Sequence, residues 1–166
     1  NMVSDSARKA ADKRSRIANY YVDRSKLQVQ MYTGADWFNT YGMLIGRIDM
    51  DYENNEPTIS LINPFGAYPE IDRFGRCLSL TQIVGMDAES LASMFPEFAD
   101  QIMNKNLYTP GSPYLSLVRY HDKYEDVLYC PERKDLVLSR VPNPIGECLV
   151  SVKMRSSIDG EARGQF

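Results

Sequence analysis

The chain has one histidine, one tryptophan and three cysteines in 166 residues, and these scarcities remove most catalytic chemistries. Any Ser-His or Cys-His machinery has to run through His121, because the triad logic needs an imidazole as base. Cys77, Cys130 and Cys148 are odd in number, far apart and without a C-x-x-C pair, so zinc and redox motifs are missing and the thiols read as buried and free. No apolar run approaches bilayer length, and Asn1-Met2-Val3-Ser4-Asp5 has neither a basic leader nor an apolar export core, which places the chain in a cytoplasm. No G-x-x-x-x-G-K-[ST] loop occurs, and Gly42 and Gly46 precede a strand instead of joining strand to helix, so nucleotide hydrolysis is not encoded. Internal repeats and low-complexity tracts are also missing. No cofactor is expected.

What is present is ordinary globular material. Hydrophobic residues make up 43% and charged residues 25%, enough to build a core, and the length suits a single domain spanning residues 1–166. The net charge of -3 argues against a general polyanion binder, but the charge is unevenly spread. Residues 1–30 hold seven basic residues against three acidic ones, whereas residues 47–72 hold one basic residue against six acidic ones. The basic stretch, with Arg8, Lys9, Lys13, Arg14 and Arg16, is a candidate DNA or partner contact; its plain reading is a solvated helix face.

Periodicity gives the elements. Ser6 to Val22 favours a helix, with Ile17, Tyr20, Tyr21 and Arg24 on one side. After a break near Ser25, the spacing of Met31, Ala35 and Phe38, with Trp37 and Tyr41 as an i, i+4 pair, predicts a second, largely buried helix with Phe38 in the core. Met43 to Tyr52 alternates apolar and charged residues, Glu53 to Pro57 reads as a turn, and Thr58 to Ile62 returns as the second strand of an antiparallel hairpin. Asn63 to Pro69 reads as an aromatic, proline-punctuated loop, and Arg73 to Arg76 as a turn before a strand at Cys77 to Val84. Asp87 suits a helix cap, with Leu91, Met94, Phe95, Phe98 and Ile102 on one face and a break forced at Pro96. Thr109 to Pro113 closes the helical region. Strands are expected at Tyr114 to His121, Asp126 to Cys130, Asp135 to Val141 and Val150 to Met154, with a polar tail over residues 155–166. The fold class is therefore α+β: amino-terminal helices on an antiparallel hairpin, a central short helix pair, then further antiparallel strands.

Two clusters invite a chemical reading. Asp49, Asp51 and Glu53 would project to one side of a strand and could hold Mg²⁺ or Ca²⁺, but Asn54 and Ser60 stand where a calcium loop needs Gly and Glu, and the wet face of a strand entering a turn accounts for the same acids. No metal site is assigned. His121 lies in the charged run His121-Asp122-Lys123-Tyr124-Glu125-Asp126 and is read as a surface histidine in a hairpin loop. Trp37, Tyr41, Phe65 and Tyr68 could stack on bases, yet they lack interleaved basic residues and read as core or subunit-contact positions. No catalytic residue is assigned.

The order of these parts resembles the portal proteins of tailed bacteriophages, in the branch similar to the portal of a Bacillus siphophage. An amphipathic helix, a second helix ending in Tyr41-Gly42, the hairpin from Met43 to Ile62, then Asn63-Pro64, Tyr68-Pro69 and finally Asn143-Pro144-Ile145-Gly146 carry the resemblance. In that family an N-P-x-G turn precedes a strand and the long helix leading to the stem; here Gly146 is followed by Glu147-Cys148-Leu149-Val150 where the family usually has V-P-V-V. The resemblance implies a wing-region fragment that stops before stem, tunnel loop and clip. It also implies a homo-oligomeric ring, usually a dodecamer, at one capsid vertex of the virion, assembled in the host bacterial cytoplasm. Double-stranded DNA passes through such a ring, driven by terminase, and scaffold, capsid and head-completion proteins bind it; no membrane is involved. Two other readings stay open: a metal-dependent phosphodiesterase using Asp49, Asp51 and Glu53, and another virion adaptor or DNA-binding module using the basic first helix.

Overall fold

Twenty residues free of proline and glycine, Asp5–Arg24, form the helix α1 of this computed structural model, which describes residues 5–51, 53–103, 114–134 and 136–155. Lys26, in the left-handed region at φ 51°, breaks the chain before α2, Leu27–Tyr41. Gly42 ends α2 at φ 69°, with its N–H on Phe38 O, a conformation that glycine adopts without a Cβ penalty. The strands β1 (Met43–Asp51) and β2 (Glu56–Ile62) then pair antiparallel, Ile45 opposite Ile62 and Asp51 opposite Glu56, and β8 (Val150–Met154) takes the other side of β1. The remaining strands are β3 (Ala67–Ile71), β4 (Cys77–Asp87), β5 (Tyr114–Asp122), β6 (Glu125–Cys130) and β7 (Leu136–Pro142), in the spatial order β3-β4-β5-β6-β7, each pair antiparallel. Between β4 and β5 lie α3 (Ala88–Met94), a 3-10 turn at Pro96–Phe98 and α4 (Ala99–Ile102). The class is α+β.

The described residues divide into two compact units. Those up to Pro64, with those from Ser151, form the first; Phe65–Val150 forms the second.

In the first unit α2 lies on the β1–β2 hairpin at Gly34, its one buried residue, where an added Cβ would come 2.7 Å from Leu61 Cδ1 and 3.0 Å from Leu44 Cδ1. The polar side of the α1–α2 corner covers the free edge of β2. Ser25 Oγ accepts Ile59 N–H at 2.9 Å, and Gln30 accepts Leu61 N–H at 2.8 Å while donating to Ile59 O at 3.2 Å. Backbone groups that an edge strand would leave to water or to another chain are thereby satisfied. Two expectations are corrected here. α2 starts at Leu27 rather than Met31 and is not a buried helix: Trp37 and Phe38 are half-buried and Val29, Met31, Tyr32 and Tyr41 are exposed. The β1 alternation identifies a strand but not its wet side, because Ile48 and Met50 are exposed whereas Arg47 and Asp49 are partly covered and ion-paired at 2.6 Å. Pairing offsets the cost of drawing such charged side chains partly out of water.

The second unit holds the larger core. Ala88, Leu91 and Ile102 from the helices meet Leu115, Cys130 and Leu138 from β5, β6 and β7. Asp87 Oδ1 accepts Ser90 N–H at 2.8 Å and caps α3, as its sequence position suggests, and Phe95 and Pro96 interrupt the helix because proline cannot donate within it. Met94, expected on the apolar face, is exposed. Arg133, only 4% exposed, donates its Nε to Ile102 O at 2.7 Å, satisfying the carbonyl at the end of α4. Tyr68 and Pro69, read as loop, belong to β3, and β4 runs three residues beyond Val84. Pro57, Pro69 and Pro142 all fall in edge strands, β2, β3 and β7, while β1, β4, β5 and β6 contain none; a central strand would lose a ladder hydrogen bond to each. The expected loop Thr109 to Pro113 and the tail over residues 156–166 lie outside the described residues.

Candidate functional site

A tight turn at Lys123 and Tyr124 builds the most structured polar cluster. Asp122 Oδ1 accepts the N–H groups of Tyr124 at 2.7 Å and Glu125 at 2.8 Å, so β5 reverses within two residues and His121 comes to face Asp126 across the ladder. His121 is 6% exposed, not a surface residue, which corrects the reading of the charged run as an open loop. Its Nδ1 lies 3.3 Å from Asp126 Oδ2, an ion-pair distance without the alignment of a hydrogen bond. Arg119 Nε grips both oxygens of Asp126 at 2.9 and 3.0 Å. Burial alone would raise the Asp126 carboxyl, but His121 and Arg119 hold it well below the usual carboxylate range.

The other side of the imidazole is closed by the segment after β7. Asn143 donates Nδ2 to Asp122 O at 2.9 Å and to Glu147 O at 2.7 Å, its own N–H bonds Tyr124 O, and its Oδ1 accepts Ile145 N–H at 3.1 Å. With Gly146 at φ 75°, these bonds fold residues 143–149 back over the hairpin. Leu149 N–H then points at His121 Nε2 at 3.3 Å, and Cys148, the residue before it, comes close enough to Cys77 and His121 to perturb their titration. Cys77 is buried at the start of β4, and its S–H donates to Ser79 O at 3.2 Å.

The electrostatics follow from this row. Asp126 beside the ring, and Cys148 after it, raise His121 from 6.5 to about 9 against the opposing effect of burial. Hydrogen bonds from Cys77 and then His121 lower the Cys148 thiol, while the Cys77 thiol is pushed up, first by Cys148 and then by burial. The 3.3 Å Leu149 bond favours a neutral ring protonated at Nδ1, but it is long, and the buried carboxylate outweighs it. The row sets a histidine and two thiols beside a buried, ion-paired carboxylate.

The other expected positions are spread over the first unit and the turns. Asp49 is held by Arg47, with Nε at 2.7 Å from Oδ2, and Asp51 accepts from Glu53 N, Asn54 N and Asn54 Nδ2, which organises the β1–β2 turn and lowers its carboxyl pKa. Among the described residues no group of three or more His, Cys, Asp or Glu is placed to hold a metal ion. Arg8, Lys9, Lys13, Arg14 and Arg16 are exposed on α1; Lys9, Lys13 and Arg16, at i, i+4 and i+7, share one face, and Arg8 and Arg14 fall off it. Tyr41, Asn63 and Tyr68 are exposed, Pro64 is buried, Pro69 and Trp37 are half-buried, and Phe65 is exposed. Asn143, Pro144 and Gly146 form the turn that carries Cys148 to His121. No helix among the described residues is long and apolar enough to cross a membrane.

The Cys77–Cys148–His121–Asp126 row is what reading the sequence missed. One signal was available: a two-residue turn between His121 and Asp126 would have made them cross-strand partners of opposite charge. Nothing local ties Cys77 or Cys148 to that hairpin. Comparison of the chain with protein-family models gives no match, and comparison with curated proteins gives none either.

Proposed function

We propose that the chain is a structural segment of a tailed-phage portal subunit, acting by assembly at a capsid vertex and carrying out no reaction of its own. The observation that carries the reading is the uncovered apolar surface of the first unit. α1 has no buried residue along its length, and Ile17, Tyr20, Val29, Met31, Tyr32, Tyr41, Ile48 and Met50 are all exposed. Exposed apolar and aromatic side chains of this kind are what contacts between subunits are made of. A closed ring gives each copy two different faces to satisfy, and helices with sides left open suit that need. The order of helices, hairpin and N-P-x-G turn, which resembles the portal wing, adds the direction. In this reading the exposed Lys9, Lys13 and Arg16 stripe faces phosphate or an acidic partner, with terminase, scaffold, capsid and head-completion proteins as the assembly's partners.

Light scattering and negative-stain imaging of the full-length parent test the proposal. Closed rings with a central hole are expected. A parent that stays monomeric at every concentration and after scaffold addition removes the reading, and strongly salt-dependent DNA binding by the monomer would favour the DNA-binding module instead.

A further inference from the structure

The same three-residue device occurs twice in the second unit. The β3–β4 turn begins Asp72-Arg73-Phe74 and the β5–β6 turn begins Asp122-Lys123-Tyr124. In each, the aspartate accepts the N–H of the aromatic residue two positions on, Phe74 at 2.8 Å and Tyr124 at 2.7 Å, and a second N–H, from Arg76 at 2.9 Å or Glu125 at 2.8 Å. Each carboxylate is thus turned back into its own turn, and the ring and the cation stay outside. Phe74 and Tyr124 are both 68% exposed. The middle residue lays its charge on the ring beside it: Arg73 Cζ and Lys123 Nζ each lie 4.6 Å from the ring centre. Arg76, whose Nε bonds Asp72 at 2.8 Å, brings a second guanidinium to Phe74 at 5.6 Å.

Strand register places the two turns together. Ile71 pairs with Cys77, and Ser79 pairs with Asp122, so both turns project past the same end of the sheet with β4 and β5 side by side between them. Their centres are two strand spacings apart, roughly 10 Å. We propose that this end of the sheet binds single-stranded nucleic acid, with bases stacked on Phe74 and Tyr124 and phosphates against Arg73, Arg76 and Lys123. An unpaired strand offers flat base faces and charge together, whereas the bases of a duplex are already stacked on one another and leave only phosphate to meet. A lipid surface suits the turns less, because each ring carries a cation instead of joining an apolar wedge. The net charge of -3 is no measure of this end: the side chain of Asp72 is 14% exposed against 75% for Arg76, and Glu125 is paired with Arg140 at 3.3 Å. Little base preference is expected, since every base has a π-face. All the residues involved lie in the second unit, so the binding stands apart from ring assembly through the first.

The test is fluorescence anisotropy of the full chain with a labelled oligothymidine of about 12 nucleotides, within the span that such platforms cover. Binding that weakens with salt is expected, at least about tenfold tighter than that of a duplex of equal length. Phe74→Leu and Tyr124→Leu keep an apolar side chain at each turn and remove the flat face, and each should weaken binding about fivefold or more. Arg73→Gln and Lys123→Gln should lower the salt dependence. Lys9→Gln, Lys13→Gln and Arg16→Gln together, on α1, should leave binding unchanged. An oligothymidine that does not bind, a duplex bound as tightly, leucine variants that bind like the wild type, or binding lost with the α1 substitutions overturns the proposal. Capture by vesicles containing phosphatidylserine in place of the oligonucleotide overturns it too.

Discussion

Gln30 and Leu61, thirty-one residues apart, are joined by a 2.8 Å bond in which the glutamine carbonyl accepts a strand N–H that has no other strand to meet. The same side chain donates to Ser25 O at 2.7 Å and to Ile59 O. A helical side chain therefore stands in for a missing neighbour strand. Gln30→Ala would orphan a donor and an acceptor on β2, and we expect a loss of roughly 1 to 3 kcal/mol in chemical denaturation. Unchanged stability would mean that water replaces the glutamine at no cost.

Glycine at two turns separates two kinds of constraint. At Gly66, φ is 76° and an added Cβ would lie 2.4 Å from Ile83 O, a backbone atom that cannot step aside. At Gly146, φ is 75° but nothing lies within 4 Å. Gly146→Ala should cost about 1 to 2 kcal/mol, the penalty for a side chain in the left-handed region, and Gly66→Ala roughly 3 kcal/mol or more because the close approach to the Ile83 backbone of β4 has to open as well. Equal losses in thermal melts would show that the close approach to Ile83 relaxes freely.

The pH response of the second unit follows from two opposite shifts. His121 is raised from 6.5 to about 9, so its contribution is complete below pH 6.5 and is lost as pH rises through about 9. Cys148 is lowered, so its contribution is lost as pH falls through its folded value and is complete only above the ordinary thiol range. Between the two ordinary values the histidine's loss offsets the thiol's gain, and the wild type should be nearly flat. Cys148→Ser leaves Asp126 beside the ring and removes the thiol's gain, so its stability should fall as pH rises above 6.5 through the histidine's remaining raised range. Asp126→Asn should tilt the same stretch upward. Melts of the three proteins across this window check both signs.

Asp49 and Asp51 differ in what they hold. Asp49 faces Arg47, whose side chain is only 11% exposed, so Asp49→Asn should cost roughly 1 to 3 kcal/mol through the weakened charge-assisted bond. Calorimetry with Mg²⁺ or Mn²⁺ is expected to show no tight binding that is lost on substituting Asp49, Asp51 and Glu53 together; such binding would restore the phosphodiesterase reading.

On the assembly proposed above, Tyr32→Asp on the exposed side of α2 should reduce self-association while leaving the melting of the chain within about 0.5 kcal/mol of wild type, the usual range for surface changes. Loss of stability in place of assembly would mean that Tyr32 is covered within its own subunit.

The elements were legible wherever a short-range rule decided them. Asp87 before Ala88 announced a cap, Pro96 a break, and the charged alternation of Arg47 to Asp51 a strand. What the sequence could not convey was the side on which each element finds cover. Ile48 and Met50 alternate as core residues do and lie exposed, because a long-range partner, not period, decides burial. His121 was placed at the end of its strand but on the wrong side of the surface, since the residues that cover it, Cys148 and Leu149, are twenty-seven and twenty-eight positions away.

The prolines of the edge strands bear on how copies of this chain can meet. In the ring proposed above, identical β-sheets would lie close together at high local concentration, the condition in which bare strand edges knit into continuous sheet and do not let go. Pro57, Pro69 and Pro142 each remove one backbone donor from β2, β3 and β7, and Ser25 and Gln30 occupy further groups on β2, so strand pairing along those edges is disfavoured relative to side-chain contact. Such contacts can form, separate and re-form until every copy is seated, whereas fused backbones would lock the first mistake in place. β8 is the edge strand without a proline, and it carries Lys153, whose charge discourages a second copy from pairing there.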